Sequence, residues 1–482
     1  MRQRPFGLRQ GAVAPRASSV PARGLRAARW GRALSPDPFA PAAALVLDAE
    51  YKQALAAARS IGRAGGVVCL AASCPAAAEG WTVPALWSRW VTSGEVIAGV
   101  AHDPTRYAEG VLDAVVRRRT EVVLPASDPA LAALLPWRSE LEEHARLAVG
   151  AAKALEIALD KGETLRAASA AGVAVPVTLY VSDPRDAASA AAEVGYPAVV
   201  KPEAYSGPTR LVARAVLDGA EAREAVAAIV ATGVPALVQP WASGRREAVQ
   251  VFRTDGAVVA QVASVTSRAT PMLGGASVVR ESISLPTDSG RAAEALLDAI
   301  GLEGYAEVEF RRDAHGRSLL MEVNPRLSGS VELGVRAGVD FPLMLYNWAA
   351  GRRVEPVEGY RAGVRLRWLA GDLRWLAEEV HGRSRPDGMP VPRALSRFVM
   401  DFGVRQSYDV LDAGDVMPAV AEMSNIAVKL GLALAGRQRL AGNLLRCGPG
   451  PSVLAADGAG TCPVCRMPPG PLPVRRGSFV PR

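Results

Sequence analysis

The chain has 482 residues, of which 49% are hydrophobic and 22% are charged. These are globular values and the length leaves room for about three domains, so a disordered chain and a small scaffold held by disulfides or metals are both excluded. The net charge is +8, but eight arginines and no acid lie in residues 1–36, so the rest of the chain is neutral and offers no basic surface for nucleic acid.

The two ends of the chain are expected to be disordered. Residues 1–40 combine arginine with proline, which fits a disordered extension, with an organellar transit peptide as the alternative. Residues 446–482 are dense in glycine and proline and lack apolar periodicity. Five cysteines in so long a chain form no disulfide framework, which favours a reducing, cytoplasmic compartment. No apolar run predicts a membrane span, and a homo-oligomer is compatible with the sequence.

Strand-length apolar runs alternate with helical segments from about residue 40 to 350, which is typical of the α/β class. In residues 41–150 we predict a parallel-sheet, Rossmann-like domain. Its expected elements are strands at Ala43–Leu47, Val67–Leu70 and Glu121–Leu124, with a helix ending at Arg63 and another over Tyr107–Arg118. Asp128, beyond the third predicted strand, is either a substrate contact at the carboxyl end of the sheet or a helix cap.

Residues 151–355 are predicted to form a second domain with an antiparallel-rich mixed sheet. Helices are expected over Lys153–Ala171 and Asp186–Val194. The expected strands are Val177–Val181, Ala198–Val200, Ala236–Val238, Ala248–Phe252, Val258–Ala263, Val308–Phe310 and Leu319–Val323.

Residues 356–445 are predicted to be a small α/β extension. A strand over residues 363–369 would place Arg365 and Arg367 on one face, where they either bind an acidic substrate or are solvated charges of an edge strand. A helix is expected over Leu373–Val380.

Lysine is rare, since only five of the 56 basic residues are lysine. One of them, Lys201, ends the apolar strand Ala198–Val200 and precedes a loop that contains Ser206 and Gly207. An ammonium in this place fits a phosphate contact, and a snorkelling surface lysine is the alternative.

A group of oxygen ligands is predicted on the last two strands of the second domain. If these strands pair across the turn at His315-Gly316, Glu309 and Glu322 share a sheet face, and Asn324 lies on it too. Two carboxylates and an amide oxygen suit Mg2+, which binds hard oxygen ligands and bridges to nucleotide phosphates. A solvated polar face is the alternative interpretation.

Together these residues resemble the ATP-grasp superfamily, and within it the carbamoyl-phosphate-synthase-like branch. The resemblance extends over about residues 40–355. It rests on the runs Glu322-Val323-Asn324-Pro325-Arg326, Val308-Glu309-Phe310 and Ala337-Gly338-Val339-Asp340, and on Lys161 and Lys201. It implies an α+β ATP-grasp fold with an amino-terminal preATP-grasp domain, two α+β subdomains that clasp ATP and a small carboxyl extension.

The resemblance also implies roles for individual residues. Lys161 and Lys201 would contact the ATP phosphates, and Arg326 would steady the transferred phosphoryl group, so that Arg326 and Lys201 are the catalytic candidates. Glu309, Glu322 and Asn324 would hold two Mg2+ ions, with Mn2+ as a substitute. The adenine would lie against Gln239, Pro240, Trp241 and Ala242, and Glu247 would bind the ribose hydroxyls.

The activity that the resemblance implies is ATP-dependent ligation of a small-molecule carboxylate to an amine, through an acyl phosphate. Two alternatives stay open, a bicarbonate-using enzyme and a protein that binds nucleotide without turnover. The sequence departs from the family pattern in its glycine-poor loop, residues 203–209, and in Gln239, which stands where many members have an acid.

Overall fold

The computed structural model describes residues 43–73, 83–204, 211, 213–271, 273, 275–381, 386, 388–434 and 470–472. The predicted amino-terminal extension lies outside these ranges, as do most of the predicted tail and residues 205–209 of the glycine-poor loop. Among the described helices, none combines the length and the apolar character needed to cross a membrane.

The amino-terminal region folds as a parallel sheet with helices around it. The strands are β1 (Ala44–Val46), β2 (Val68–Ser73), β3 (Ser93–Ile97), β4 (Val122–Leu124) and β5 (Arg146–Leu147). The helices are α1 (Lys52–Arg63), α2 (Pro104–Arg118), α3 (Asp128–Leu134) and α4 (Arg138–Glu142). The order β3-β2-β1-β4-β5 confirms the predicted parallel sheet, and the reversal between β1 and β4 marks the crevice where open sheets bind ligands.

A four-stranded antiparallel sheet follows, in the order β6-β9-β7-β8. Its strands are β6 (Leu179–Val181), β7 (Ala198–Pro202), β8 (Arg214–Val216) and β9 (Ala236–Pro240). The helices of this region are α5 (Ala152–Leu159), α6 (Lys161–Ala170), α7 (Ala187–Val194) and α8 (Gly219–Val230). One sheet face packs on α7 and α8 through residues such as Val200 and Val238. Lys201 therefore lies on the other face, opposite Leu237.

The largest sheet has seven strands, in the order β14-β13-β10-β11-β12-β15-β16. These are β10 (Arg246–Thr254), β11 (Ala257–Thr270), β12 (Ala276–Ile283), β13 (Gly304–Arg312), β14 (Ser318–Asn324), β15 (Arg365–Arg367) and β16 (Ser407–Tyr408). Helices α9 (Thr287–Ala299), α10 (Val331–Ala337) and α11 (Phe341–Ala349) accompany it. The predicted antiparallel pairing is confirmed, but the strands form two sheets and not one.

The single helix predicted over Lys153–Ala171 is wrong, because the helix breaks at Asp160. Asp160 has an extended backbone, and its carboxylate caps α6 by accepting a hydrogen bond from the Glu163 N–H. A capping side chain that competes for backbone donors in this way interrupts an otherwise continuous helical pattern. The break makes Lys161 the first residue of α6, with its N–H donating to the Glu203 carbonyl at 2.8 Å.

The carboxyl extension contributes α12 (Leu369–His381), α13 (Val391–Met400) and α14 (Met417–Leu434). It also contributes β17 (Gly470–Leu472), which pairs antiparallel with β3. The prediction that the whole tail is disordered is therefore wrong for these three residues.

Neither interpretation of Arg365 and Arg367 matches the structure. The short strand β15 lies between β12 and β16 and is no edge. Arg367 is fully buried and pairs with Asp372 at 2.6 Å, while Arg365 pairs with Asp401 at 2.8 Å.

A buried ion cluster fastens the carboxyl extension to the amino-terminal region and to the large sheet. Asp409, directly after β16, accepts hydrogen bonds from both terminal nitrogens of Arg280 on β12 and from the Lys52 ammonium at 3.3 Å. Burial would raise the pKa of Asp409, but these two cations outweigh it and hold the pKa below its usual range. The cluster therefore joins α1, β12 and the end of β16 through one carboxylate.

The substitution Asp409→Asn is expected to lower the free energy of unfolding by ~3 kcal/mol, because it leaves the buried Arg280 without its counter-charge. Urea denaturation followed by circular dichroism measures the change. The control is Asp183→Asn, which removes an ion pair to Arg185 at the protein surface and should leave the midpoint unchanged. Equal midpoints for all three proteins would show that Asp409 does not hold the extension.

Candidate functional site

The pairing of β13 with β14 places four polar side chains on one sheet face. Glu309 lies opposite Glu322, and Glu307 lies opposite Asn324. Residues that face each other across an antiparallel pair point to the same side, and so do residues two apart on one strand. The structure thus brings together the three predicted metal ligands, Glu309, Glu322 and Asn324.

Cations from other elements surround these carboxylates. The Arg246 guanidinium on β10 binds Glu309 with a shortest N–O distance of 2.6 Å, and the Lys161 ammonium lies 3.6 Å from Glu322. The Lys201 ammonium, from the smaller sheet, donates to the Met321 carbonyl at 3.3 Å, next to Glu322. The two lysines predicted to contact phosphate therefore both lie beside the predicted metal ligands, Lys161 from the start of α6 and Lys201 from the smaller sheet.

The pKa values show how tightly these charges depend on each other. Burial raises the pKa of Glu309 to about 7. Burial would also raise the pKa of Glu322, but Lys161 and Lys201 help to hold it below its usual range. Burial, together with the charge of Lys161, lowers the pKa of Lys201 to about 8. A site with this charge pattern can bind a metal ion beside its carboxylates and an anion beside its lysines.

Glu307 is a fourth acidic or amide side chain of this face that the sequence interpretation missed. It is buried, and its Oε2 atom has no hydrogen-bond partner among the described residues. The same holds for the Oε1 atom of Gln250, which lies opposite Glu307 on β10. The pattern could have revealed Glu307, because it precedes Glu309 by two residues on the same strand.

The donor set fits Mg2+. Within the described ranges, no group of three or more His, Cys, Asp or Glu side chains is placed so that it could hold a metal ion by itself. Mg2+ seldom uses such a cage, because it binds one or two protein carboxylates and completes its shell with water and substrate phosphates. Glu309 and Glu322, with the amide of Asn324 and the unpaired Glu307 oxygen beside them, offer that kind of partial oxygen shell.

Arg326 is held in place by two partners. Its guanidinium binds the Asp128 carboxylate through two hydrogen bonds of 2.9 Å, and it donates to the Asn324 amide oxygen at 3.0 Å. The capping interpretation of Asp128 is wrong, because Ser127 caps α3 by accepting from the Ala130 N–H. Asp128 instead joins the amino-terminal region to Arg326, directly after the strand β14 that carries two of the predicted metal ligands.

The predicted adenine-binding segment begins on β9, beside the strand that carries Lys201. The Gln239 amide donates to the Thr178 hydroxyl at 2.9 Å, so that side chain holds β9 against the start of β6. The Trp241 N–H donates to the Pro197 carbonyl at 3.1 Å, and Pro240 has no N–H. Of the two backbone N–H groups that follow Pro240 in this segment, this leaves the N–H of Ala242 for adenine.

The structure does not bring the predicted ribose contact, Glu247, to this face. Glu247 lies opposite Phe310, so its side chain points to the other side of the sheet from Glu309. Its buried carboxylate binds Arg312, at 2.7 and 3.0 Å, and Arg245. The sequence interpretation failed here because motif spacing does not reveal which sheet face an acid occupies.

Comparison with known proteins agrees with this geometry. Residues 233–371 match the family described as ATP-grasp in the biosynthetic pathway with Ter operon. These residues include β10, β13 and β14, and hence the cluster of carboxylates. In this segment and in its fold, the chain is similar to the ATP-grasp superfamily. Among curated proteins, none matches the sequence.

Solved structures support the ATP-grasp fold. The biotin carboxylase domain of Hydrogenobacter thermophilus 2-oxoglutarate carboxylase has a TM-score of 0.54 at 19% identity, over 67% of this chain and 73% of that one. The N5-carboxyaminoimidazole synthetase of Staphylococcus aureus has a TM-score of 0.53 at 14% identity, over 76% of this chain and 99% of that one. The L-amino acid ligase of Bacillus licheniformis has a TM-score of 0.50 at 18% identity, over 65% of this chain and 75% of that one. At these identities the likeness is one of fold.

Asp128 and Arg326 are expected to stabilise this ATP-grasp fold as a coupled pair. A double-mutant cycle of Asp128→Asn and Arg326→Met should give a coupling free energy of about 1 kcal/mol, less than for a fully buried pair because the Asp128 side chain is 36% exposed. Chemical denaturation of the four proteins measures it. Strictly additive effects would mean that the two residues stabilise the fold independently.

Proposed function

We propose that the chain is an ATP- and Mg2+-dependent ligase that activates a small-molecule carboxylate for attack by an amine or a similar nucleophile. The observation that carries this proposal is the convergence of Lys161, from α6, and Lys201, from the smaller sheet, on the face that carries Glu309 and Glu322. Anion-binding ammonium groups beside metal-binding oxygens are what the triphosphate of MgATP requires.

The lysines would bind the phosphates from two directions. Lys161 extends from the first turn of α6, and Lys201 from the end of β7. Both ammonium groups lie near Glu322 and offset its negative charge in the protein without nucleotide. On nucleotide binding, phosphate oxygens would take over part of this compensation, so the lysines need little rearrangement.

Glu309, Glu322 and Asn324 would hold the metal. Bound Mg2+ would supply neutralisation of the phosphate charge that otherwise repels an incoming carboxylate. A structure of the Hydrogenobacter thermophilus biotin carboxylase domain contains MgADP, which supports a nucleotide with magnesium in this fold. The Arg246 guanidinium beside Glu309 would limit the negative charge that the carboxylates present to the triphosphate.

The adenine would be recognised by backbone groups of the segment after β9. The Pro240 carbonyl would accept from the exocyclic amine and the Ala242 N–H would donate to the ring, since the Trp241 N–H already binds Pro197. Glu247 stands outside this proposal because its carboxylate lies on the opposite sheet face.

Arg326 would act next to the reacting groups. A substrate carboxylate oxygen would attack the γ-phosphorus as the bond to the β-phosphate oxygen breaks, which gives an acyl phosphate and ADP. The nucleophile would then form a bond to the acyl carbon, lose a proton and expel phosphate. Asp128 fixes the orientation of Arg326, whose permanent charge would stabilise the transferred phosphoryl group.

The test is ADP release from MgATP in the presence of pooled amino acids, small carboxylates or bicarbonate. We expect ADP release that depends on one pool and that Glu322→Gln lowers by about 100-fold or more, because the substitution removes a metal ligand charge. The matched control, Glu294→Gln, changes an exposed glutamate on α9 and should retain full activity.

Each other outcome contradicts a part of the proposal. Release that depends on bicarbonate alone would make the chain a bicarbonate-using enzyme. ATP binding without ADP release in any pool would contradict the ligase and favour a protein that only binds nucleotide. Equal activity of Glu322→Gln and wild type would remove Glu322 from the metal site.

A further inference from the structure

Helix α14 and the residue before it expose a row of apolar side chains. Val416, directly before the helix, is 47% exposed, and on the helix Val420 is 52%, Met423 46% and Leu430 53% exposed, with Ala427 exposed as well. Successive members are four, three, four and three residues apart, which is the heptad spacing of a helix that packs along another helix. We call these five residues the α14 seam.

The opposite side of α14 is already packed within the protein. Pro418 and Ala421 are buried there, and the Glu422 carboxylate accepts a hydrogen bond from the Trp368 indole N–H at 2.9 Å. The helix packs on residues 84–87 and on α12. The fold therefore holds α14 in a fixed orientation and leaves the α14 seam turned outward.

The surroundings of the α14 seam indicate what kind of partner fits it. The residues that flank the seam, Met417, Ala419, Ser424 and Ile426, are all uncharged. In paired helices, charged residues at the flanking positions form ion pairs that select the partner helix and its direction. Because the α14 seam has no such charges, it has no groups with which to select a charged partner. An uncharged apolar row is complementary to another copy of itself, as an interface around a two-fold axis requires.

The exposed apolar area approaches what a dimer contact needs from each partner. The α14 seam, with its exposed neighbours Met417 and Val428, presents about half the surface of six large apolar side chains. That is on the order of 500 Å2, at the upper end of apolar patches on monomers and most of the ~800 Å2 per partner in a standard interface. Burial of this area would contribute roughly 25 cal/mol per Å2 before the costs of association.

We propose that two copies of the chain associate through their α14 seams around a two-fold axis. The association is independent of the nucleotide site, since none of the seam residues belongs to the site of Lys161, Lys201 and Glu322. It places the carboxyl extensions of both protomers at the centre of the dimer.

Sedimentation velocity of the full-length protein over a range of concentrations tests the proposal. We expect a wild-type dimer and a Val420→Glu variant whose dimer dissociation constant is raised by about 100-fold or more, because each protomer would bury a carboxylate in an apolar contact. The matched control is Val116→Glu on α2, where a valine that is 50% exposed is changed to the same residue, and it should remain dimeric. Far-UV circular dichroism and thermal melts check that both variants fold.

Three outcomes would overturn the proposal. A wild-type protein that is monomeric at all concentrations would exclude self-association, and slow amide exchange along α14 in that monomer would assign the seam to other residues of the same chain. A folded Val420→Glu variant that stays dimeric would place the interface elsewhere. Loss of the dimer in Val116→Glu as well would show that the effect is not specific to α14.

Discussion

The register between β13 and β14 is the constraint on which the site depends. It sets Glu309 against Glu322 on a face that is largely removed from water. Two carboxylates so close in a low-dielectric interior repel each other, and the repulsion must be offset by cations or by protonation. A shift of one residue would move one carboxylate to the opposite face and abolish the cluster.

The compensating cations explain several features of the surrounding fold. Lys161 lies near Glu322 because the helix breaks at Asp160, and Lys201 lies there because β7 runs to its end beside the large sheet. Arg246 arrives from β10, whose pairing with β13 puts it on the face of Glu309. Three cations from different elements, α6, β7 and β10, thus lie beside one pair of carboxylates.

The parts that follow from local pattern could be predicted from the sequence. Alternating apolar residues gave most strands, and spacing across the His315-Gly316 turn gave the shared face of Glu309 and Glu322. The parts that depend on tertiary context could not. The capping role of Asp160 overrode a helical pattern, and Glu247 resembles a ligand in spacing but points to the other face. Arg367 resembles a surface charge until its buried partner Asp372 is known.

The amino-terminal region and the carboxyl extension are both tied to the large sheet by charge and not only by apolar packing. Asp128 bridges from the end of β4 to Arg326 beside the predicted metal ligands, and Asp409 bridges from the end of β16 to Arg280 and Lys52. The hydrogen bonds of these ion pairs depend on the angle between the partners, whereas apolar contacts do not. The ion pairs therefore set the orientation of the joined segments as well as holding them together. Arg326 is thus oriented by a residue of the amino-terminal region while it donates to Asn324 at the end of β14, so a displacement of that region would separate Asp128 from Arg326 and release the guanidinium.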